Sequence, residues 1–322
     1  MVKYKKISKN IQEVIIDNPK TQVKKLRWVN ICNARKNEIE YLRKDFGFNL
    51  PELHASMSRT ISQRPIIKQN DSHLFLILHF PVFKDGNIVP EEVEFFIGHG
   101  YLVTIHNNNI NALNDFFNYA KKDGDSILAF EFESSAVLLY ELLEKLMMTC
   151  YDILDQNSID ISKVEKDIFA QKQKVAVSEI LLLKRNILNF RRIMQNHKNI
   201  LKKLMRMESS LVPAEDIKKY YIKLIEHSKR LWENLENQKE MNEILYTTND
   251  SLLNYHLSDI MKTLTIFSVI VFPLSLFAGI FGMNVEGGMP LINNSFGFWI
   301  ILLIMLTASL FMLIFFERKK WL

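Results

Sequence analysis

The stretch Phe272-Pro273-Leu274-Ser275-Leu276-Phe277-Ala278-Gly279-Ile280-Phe281-Gly282-Met283-Asn284 decides the architecture. It closes an uncharged run that begins at Thr263 and ends at Phe281, and a second uncharged run extends from Phe296 to Phe316. The runs hold 19 and 21 residues, against the roughly 20 that an α-helix needs to cross a hydrocarbon core of about 30 Å. Two membrane crossings joined by a short loop satisfy that arithmetic. Mean hydropathy over all 322 residues is near zero, so the crossings are a minority and most of the chain must fold in water.

Positive charge beside the crossings sets their orientation. Lys262 precedes the first and Arg318-Lys319-Lys320 follow the second, whereas the loop from Gly282 to Ser295 has no Lys or Arg and one acid, Glu286. Both termini are therefore expected in the cytoplasm of a multi-pass protein of the cell membrane. Met1 to Lys25 is lysine-rich and lacks an apolar run of signal-peptide length, so the N-terminal portion is expected not to be exported. In that compartment Cys32 and Cys150, far apart and without metal-ligand spacing, are expected as reduced core residues.

The first 130 residues mix short periodic pieces. Leu26 to Cys32 alternates like a strand, Lys36 to Asp45 reads as a polar helix, and His73 to Phe80 is a strongly apolar strand. Val93–Ile97 and Tyr101–His106 flank Gly98-His99-Gly100, which predicts a hairpin. Asn111 to Lys121 then supplies a helix. Glycine-rich phosphate loops, nucleophile motifs, paired carboxylates and histidines at metal-ligand spacing are all missing from the sequence, which argues against an enzyme.

Beyond Ser134 the spacing turns helical. Ala136, Leu139, Leu142, Leu143, Leu146, Met147, Cys150, Ile153 and Leu154 form one stripe, a second helix is predicted from about Val177 to Met205, and Asp167–Ala176 contains the break between them. Pro213, Glu215 and Asp216 suit the first turn of a third helix. That helix meets no proline before Pro273 and no glycine before Gly279, so it extends from about Ala214 to Phe281, about 100 Å at 1.5 Å per residue. An apolar stripe on so long a stalk would stay wet in isolation, which predicts an oligomer.

The fold class expected is thus an α+β membrane protein. It comprises a cytoplasmic α/β domain (1–130), a cytoplasmic helical hairpin (131–212), and a stalk helix (213–281) that continues into the first crossing at about 263–281. An extracytoplasmic loop (282–295), the second crossing (296–316) and a basic cytoplasmic tail (317–322) follow.

Polar side chains in the first crossing are few. Stepping back from Asn284 in helical turns passes Ile280, Phe277, Phe272 or Pro273, Ser268, Thr265 and Met261, one broad face that suits either a pore or the packing of a neighbouring helix. Gly282-Met283-Asn284, with Pro-Leu-Ser and Ala-Gly-Ile-Phe before it, resembles the signature of the CorA family of divalent-cation channels. The resemblance covers Met261 to Leu322 and, by architecture, the hairpin and stalk; the first 130 residues match only in general α/β character.

That resemblance implies a homopentamer whose first membrane helices surround a central axis. It implies a ring of Asn284 amide carbonyls at the mouth with Gly282 and Met283 beside it, and Asn284 as the contact to the metal through its water shell. Mg²⁺ loses water reluctantly, so neutral carbonyls that bond to an intact shell suit it. Met261 and Leu264 would form an apolar constriction, with Thr265, Ser268, Phe272 and Ser275 along the pore. From Gln171 to Arg230 fifteen Lys or Arg face five acids; Arg185, Arg191, Arg192, Lys202 and Lys203, joined by Lys319 and Lys320, match the family's basic collar, while a solvated helix face or nucleic acid would use the same charges.

The implied function is Mg²⁺ movement, with Co²⁺ or Ni²⁺ as further ions and no organic cofactor or nucleic acid. A Zn²⁺ transporter of the same fold is the alternative, since Met289-Pro290-Leu291 lacks the acid many members carry there. A membrane-anchored adaptor is the rival from another class. One departure concerns regulation: where well-known members carry an acid on the stalk that shares a divalent ion with the next subunit, an ungapped count from Asn284 reaches Lys223.

Overall fold

The computed structural model describes residues 2–17, 25–55, 64–70, 72–122, 134–207, 215–283, 290, 295–319 and 321. They form two compact units, 1–246 and 247–322. Seven strands make the sheet of the first unit: β1 (Val2–Lys6), β2 (Ile11–Asp17), β3 (Lys25–Cys32), β4 (Ile66–Gln69), β5 (Leu74–Lys84), β6 (Asn87–Gly98) and β7 (Tyr101–His106). Their order is β1-β2-β3-β7-β6-β5-β4. Only β3 and β7 are parallel, with Cys32 opposite His106 at their carboxyl ends.

Both faces of this sheet are covered. Leu74, Leu76, Leu78 and Phe80 of β5 join Trp28, Phe95 and Leu102 on one face, while Phe75 and Ile77 join Val29, Phe96 and Val103 on the other. This explains why β5 reads as an uninterrupted apolar run rather than an alternating one. Helices α1 (Lys36–Phe46) and α2 (Leu50–Ala55) cover the second face. On the first face lie α3 (Asn111–Lys122), α4 (Ser135–Phe169), α5 (Gln173–Met194) and α6 (His197–Arg206). The hairpin expected around Gly98-His99-Gly100 is present, with Gly100 in the left-handed region at φ 76°.

Three local readings need correction. The strands β1 and β2 precede everything the periodicity singled out; β1 carries Lys3, Lys5 and Lys6 and sits at the sheet edge, where charge is tolerated. The second hairpin helix starts at Gln173, earlier than Val177, after a turn in which Gln171 adopts φ 62° without any glycine. It then breaks at Gln195-Asn196, and the break brings His197 to the sheet, where Nε2 donates to the carbonyl of His79 at 2.7 Å. Of the two cysteines, Cys150 is a core residue as expected, but Cys32 is only half-buried at the end of β3.

Helix α7 (Glu215–Phe281) is a single element of 67 residues. Within the first unit it buries Tyr221, Leu224, Ser228, Leu231, Leu235, Gln238, Asn242 and Leu245, an alternation of three- and four-residue steps that keeps one seam against its partner. The partner is chiefly α4: Tyr221 OH donates to the Ala136 carbonyl at 3.0 Å, Tyr151 OH lies 3.1 Å from His227 Nδ1, and Gln238 Nε2 donates to the Leu154 carbonyl at 2.8 Å and Ser158 Oγ at 2.9 Å. The hairpin is spliced to the sheet by Asn186, whose Oδ1 accepts from the Ile88 N–H (3.1 Å) while Nδ2 donates to the Gly86 carbonyl (3.0 Å).

Burial holds His197 and His106 neutral, pulling each down to about 4. Their unfolded value is near 6.5, so unfolding takes up protons between those limits. Stability is full above about pH 6.5 and declines as pH falls toward 4, by on the order of 3 kcal/mol for each histidine. Thermal unfolding of the detergent-solubilised chain should show this decline, and His197→Gln, which keeps a donor for the His79 carbonyl but cannot titrate, should flatten it.

Candidate functional site

The second unit contains the part of α7 from Thr247 onward and α8 (Gly297–Arg318). Both helices contain a stretch long and apolar enough to cross a membrane, and almost none of that stretch is buried in either. Phe272 is 72% exposed and Met261, Leu264, Phe267 and Leu276 more than half exposed. Water does not tolerate such a continuous surface, whereas lipid or neighbouring helices do.

Along this surface the expected pore residues fall on one continuous helix. Thr265 Oγ1 donates to the Met261 carbonyl at 2.7 Å and Ser268 Oγ to the Leu264 carbonyl at 2.8 Å. Each hydroxyl proton is thus spent on the preceding turn, and what the side chain offers outward is oxygen lone pairs. Such a face presents acceptors without a formal charge, which is what the water shell of a cation can donate to. Met261 and Leu264, one turn apart, are both exposed on the same helix. Pro273 interrupts the hydrogen-bond ladder inside the span without ending the helix.

At its carboxyl end α7 stops beside Gly282. The Gly282 N–H donates to the Ala278 carbonyl at 3.0 Å and the Met283 N–H to the Ile280 carbonyl at 3.3 Å. A Cβ at Gly282 would lie 3.0 Å from the Ala278 oxygen, whereas one at Gly279 would meet nothing within 4 Å. The tight contact is therefore local to position 282, where the Ala278 carbonyl would have to give by a few tenths of an ångström. Met283 is exposed; Asn284 and Lys320 lie outside the described residues.

The basic residues are distributed differently from a uniform collar. Arg185 bonds through its guanidinium to the Asn87 side chain at the β5–β6 turn. Arg191 pairs with Glu236 and sits 4.8 Å over the Trp232 ring, tying α5 to α7. Arg192 and Lys203 are exposed, Lys202 is half-buried on α6, and Lys319 is exposed at the end of α8. Sequence counting detected the charge excess but not the clamp at Arg191, because its partners lie about 40 residues away. Among the described residues, no three His, Cys, Asp or Glu gather as a metal site, and Lys223 is exposed on α7.

A sheet-based unit, a 67-residue helix and two exposed apolar spans together define the architecture of a membrane protein with a large water-facing part. The family model described as "CorA-like Mg2+ transporter protein" matches residues 23–319. The chain belongs to the CorA family.

Among similar proteins, the cobalt/magnesium transport protein CorA of Thermotoga maritima is 24% identical over 92% of this chain and 83% of its own length. The corresponding protein of Methanocaldococcus jannaschii is 22% identical over 97% and 96%. The solved complete CorA magnesium transporter of M. jannaschii superposes with a TM-score of 0.83 at 22% identity, covering 92% of each chain. Full-length CmaX gives a TM-score of 0.71 at 19% identity over 92% of this chain and 89% of its own.

The contrast between the two glycines is testable. Gly282→Ala should lower the unfolding midpoint of the solubilised protein by forcing the last turn open. Gly279→Ala should leave it unchanged or raise it, by up to about 1 kcal/mol of helix propensity.

Proposed function

We propose that this chain moves Mg²⁺ across the cell membrane through a homopentameric pore lined by the membrane part of α7, with Co²⁺ and Ni²⁺ as further ions. The observation that carries the reading is the uncharged face from Met261 to Ser275, with hydroxyl protons consumed by the backbone, leading to Gly282-Met283-Asn284. Five Asn284 side chains would offer a ring of carbonyl acceptors to a hydrated ion, Thr265, Ser268, Phe272 and Ser275 would line the conduit, and Met261 and Leu264 would close it by excluding water. Both termini would lie in the cytoplasm, as the Lys/Arg asymmetry favours.

Support for the ion comes from relatives matching nearly the whole chain, which are named for magnesium and cobalt transport. The Zn²⁺ alternative is not favoured by them. The family is one of transporters, so no enzymatic activity is proposed, and an adaptor would have no use for a specific Gly-Met-Asn end. In the assembled protein Arg185, Arg192, Lys202, Lys203, Lys319 and Lys320 would form the basic collar around the cytoplasmic mouth, with Arg191 fixing the helices that hold it.

Asn284→Ala should abolish Mg²⁺ uptake by proteoliposomes while the solubilised oligomer keeps its mass. Normal flux through an intact mutant oligomer would exclude the carbonyl ring as the selective element.

Lys223 bears on regulation. A protonated amine has no lone pair for a cation, so Lys223 would not itself hold a divalent ion shared between stalks, and inhibition by cytoplasmic Mg²⁺ should be weak. Lys223→Asp should strengthen it. Strong low-millimolar inhibition of the unaltered channel, untouched by the substitution, would place control elsewhere.

A further inference from the structure

The first unit holds a second candidate site, remote in sequence from the membrane helices. The parallel pair β3 and β7 ends at Cys32 and His106, and the segments leaving these ends, 33–36 and 107–109, form one side of an open cleft of about 870 Å³. The β1–β2 turn contributes Lys9, and the β5–β6 pair contributes Lys84 and Glu91. A crevice outside the carboxyl ends of parallel strands is a recurrent place for ligands, and the volume lies within the range of small-molecule sites.

Charge identifies what the cleft can hold. Lys9, Arg35, Lys36 and Lys84 line it, against one acid, Glu91. None of the four cations has a carboxylate within ion-pair distance among the described residues. Glu91 is occupied by Asn109, whose Nδ2 donates to Oε1 at 2.6 Å. The nearby Glu38 is buried and turned beneath the rim: it accepts from the Arg35 N–H at 2.9 Å and from Asn10 Nδ2 at 3.2 Å. Helix α1 begins at Lys36, so the positive end of its dipole adds to the same side.

Four unpaired cations held around one concavity repel each other and focus positive potential into it. A multiply charged anion relieves that repulsion, and Arg35 and the lysines match phosphate oxygens in geometry and charge. None of the lining side chains is aromatic, so nothing there stacks on a base or ring, and recognition rests on the anionic group itself. Mg²⁺ binds phosphate oxygens and cancels two of their charges, so the metal-free anion is the better match to a cleft of net positive charge.

We propose that this cleft binds the polyphosphate group of a small soluble anion in its magnesium-free form. Binding there does not depend on the transport reading, and either can fail without the other. Where both hold, the site would be filled when free Mg²⁺ is scarce.

The test is calorimetric titration of the full-length chain in neutral detergent with inorganic tripolyphosphate, in metal-free buffer. Saturable binding is expected, with affinity falling about tenfold in Arg35→Gln and again in Lys84→Gln, the usual worth of a charge-assisted contact. Glu91→Gln should tighten it, and saturating Mg²⁺ should weaken it. All three positions lie at the surface of the cleft, and unchanged unfolding midpoints identify variants that remain folded. The proposal is overturned by absence of binding at millimolar tripolyphosphate, by binding indifferent to Arg35 and Lys84, by tightening with Mg²⁺, or by capture of anionic phospholipid vesicles with no affinity for the soluble probe.

Discussion

Everything in this fold depends on the seam that α7 makes with α4 and α5. A helix of 67 residues has no means of its own to bury an apolar stripe, and the alternating three- and four-residue spacing from Tyr221 to Leu245 places one side of it continuously in the core. Aromatic and aliphatic residues dominate the upper part of that seam, and Tyr221, with its hydroxyl on the Ala136 carbonyl, anchors it to the start of α4. The sheet joins through the same cluster, since Trp28, Phe95 and Leu139 belong to one continuous core with Leu224 and Leu235. The first thirty residues of α7 are thereby part of the same core as the sheet.

Much of this was legible in the sequence because the strongest signals were local. The apolar run of β5, the glycine-flanked hairpin and the uncharged C-terminal spans all express burial or solvent within one short window, and the long helix was legible because proline and glycine are missing between Ala214 and Pro273. The hairpin break could be placed only within Asp167–Ala176, where it lies, because Gln171 enters the left-handed region without the glycine that usually marks the residue. Nor was the interruption at Gln195-Asn196 legible: the residue that follows it, His197, bonds the His79 carbonyl, a partner 118 residues away.

The candidate site divides along the same line. Thr265 and Ser268 were readable as the polar members of one helical face, and their intrahelical bonds follow from residue type. The polar cleft was invisible to motif reading, because Lys9, Arg35, Lys84 and Glu91 come from separate segments and meet only through the order of the sheet. Arg191 shows the converse: the resemblance places it in a basic collar, and its contacts with an aromatic face and a carboxylate between two helices could not be read from the sequence.

The composition of the α7 seam also changes along its length, and the change has mechanical meaning. Leu231 and Leu235 give way to Gln238 and Asn242, and Asn249 is buried one further turn beyond Leu245. Gln238 is well satisfied, bonding the Leu154 carbonyl, Ser158 and Asn157. The Oδ1 atoms of Asn242 and Asn249 are buried without a hydrogen-bond partner among the described residues. Buried amides in a heptad seam specify register at a cost in stability, and a half-satisfied amide raises that cost. The apolar part of the seam thus holds α7 in place, while the amide-bearing stretch that follows it in sequence specifies register with less stabilisation.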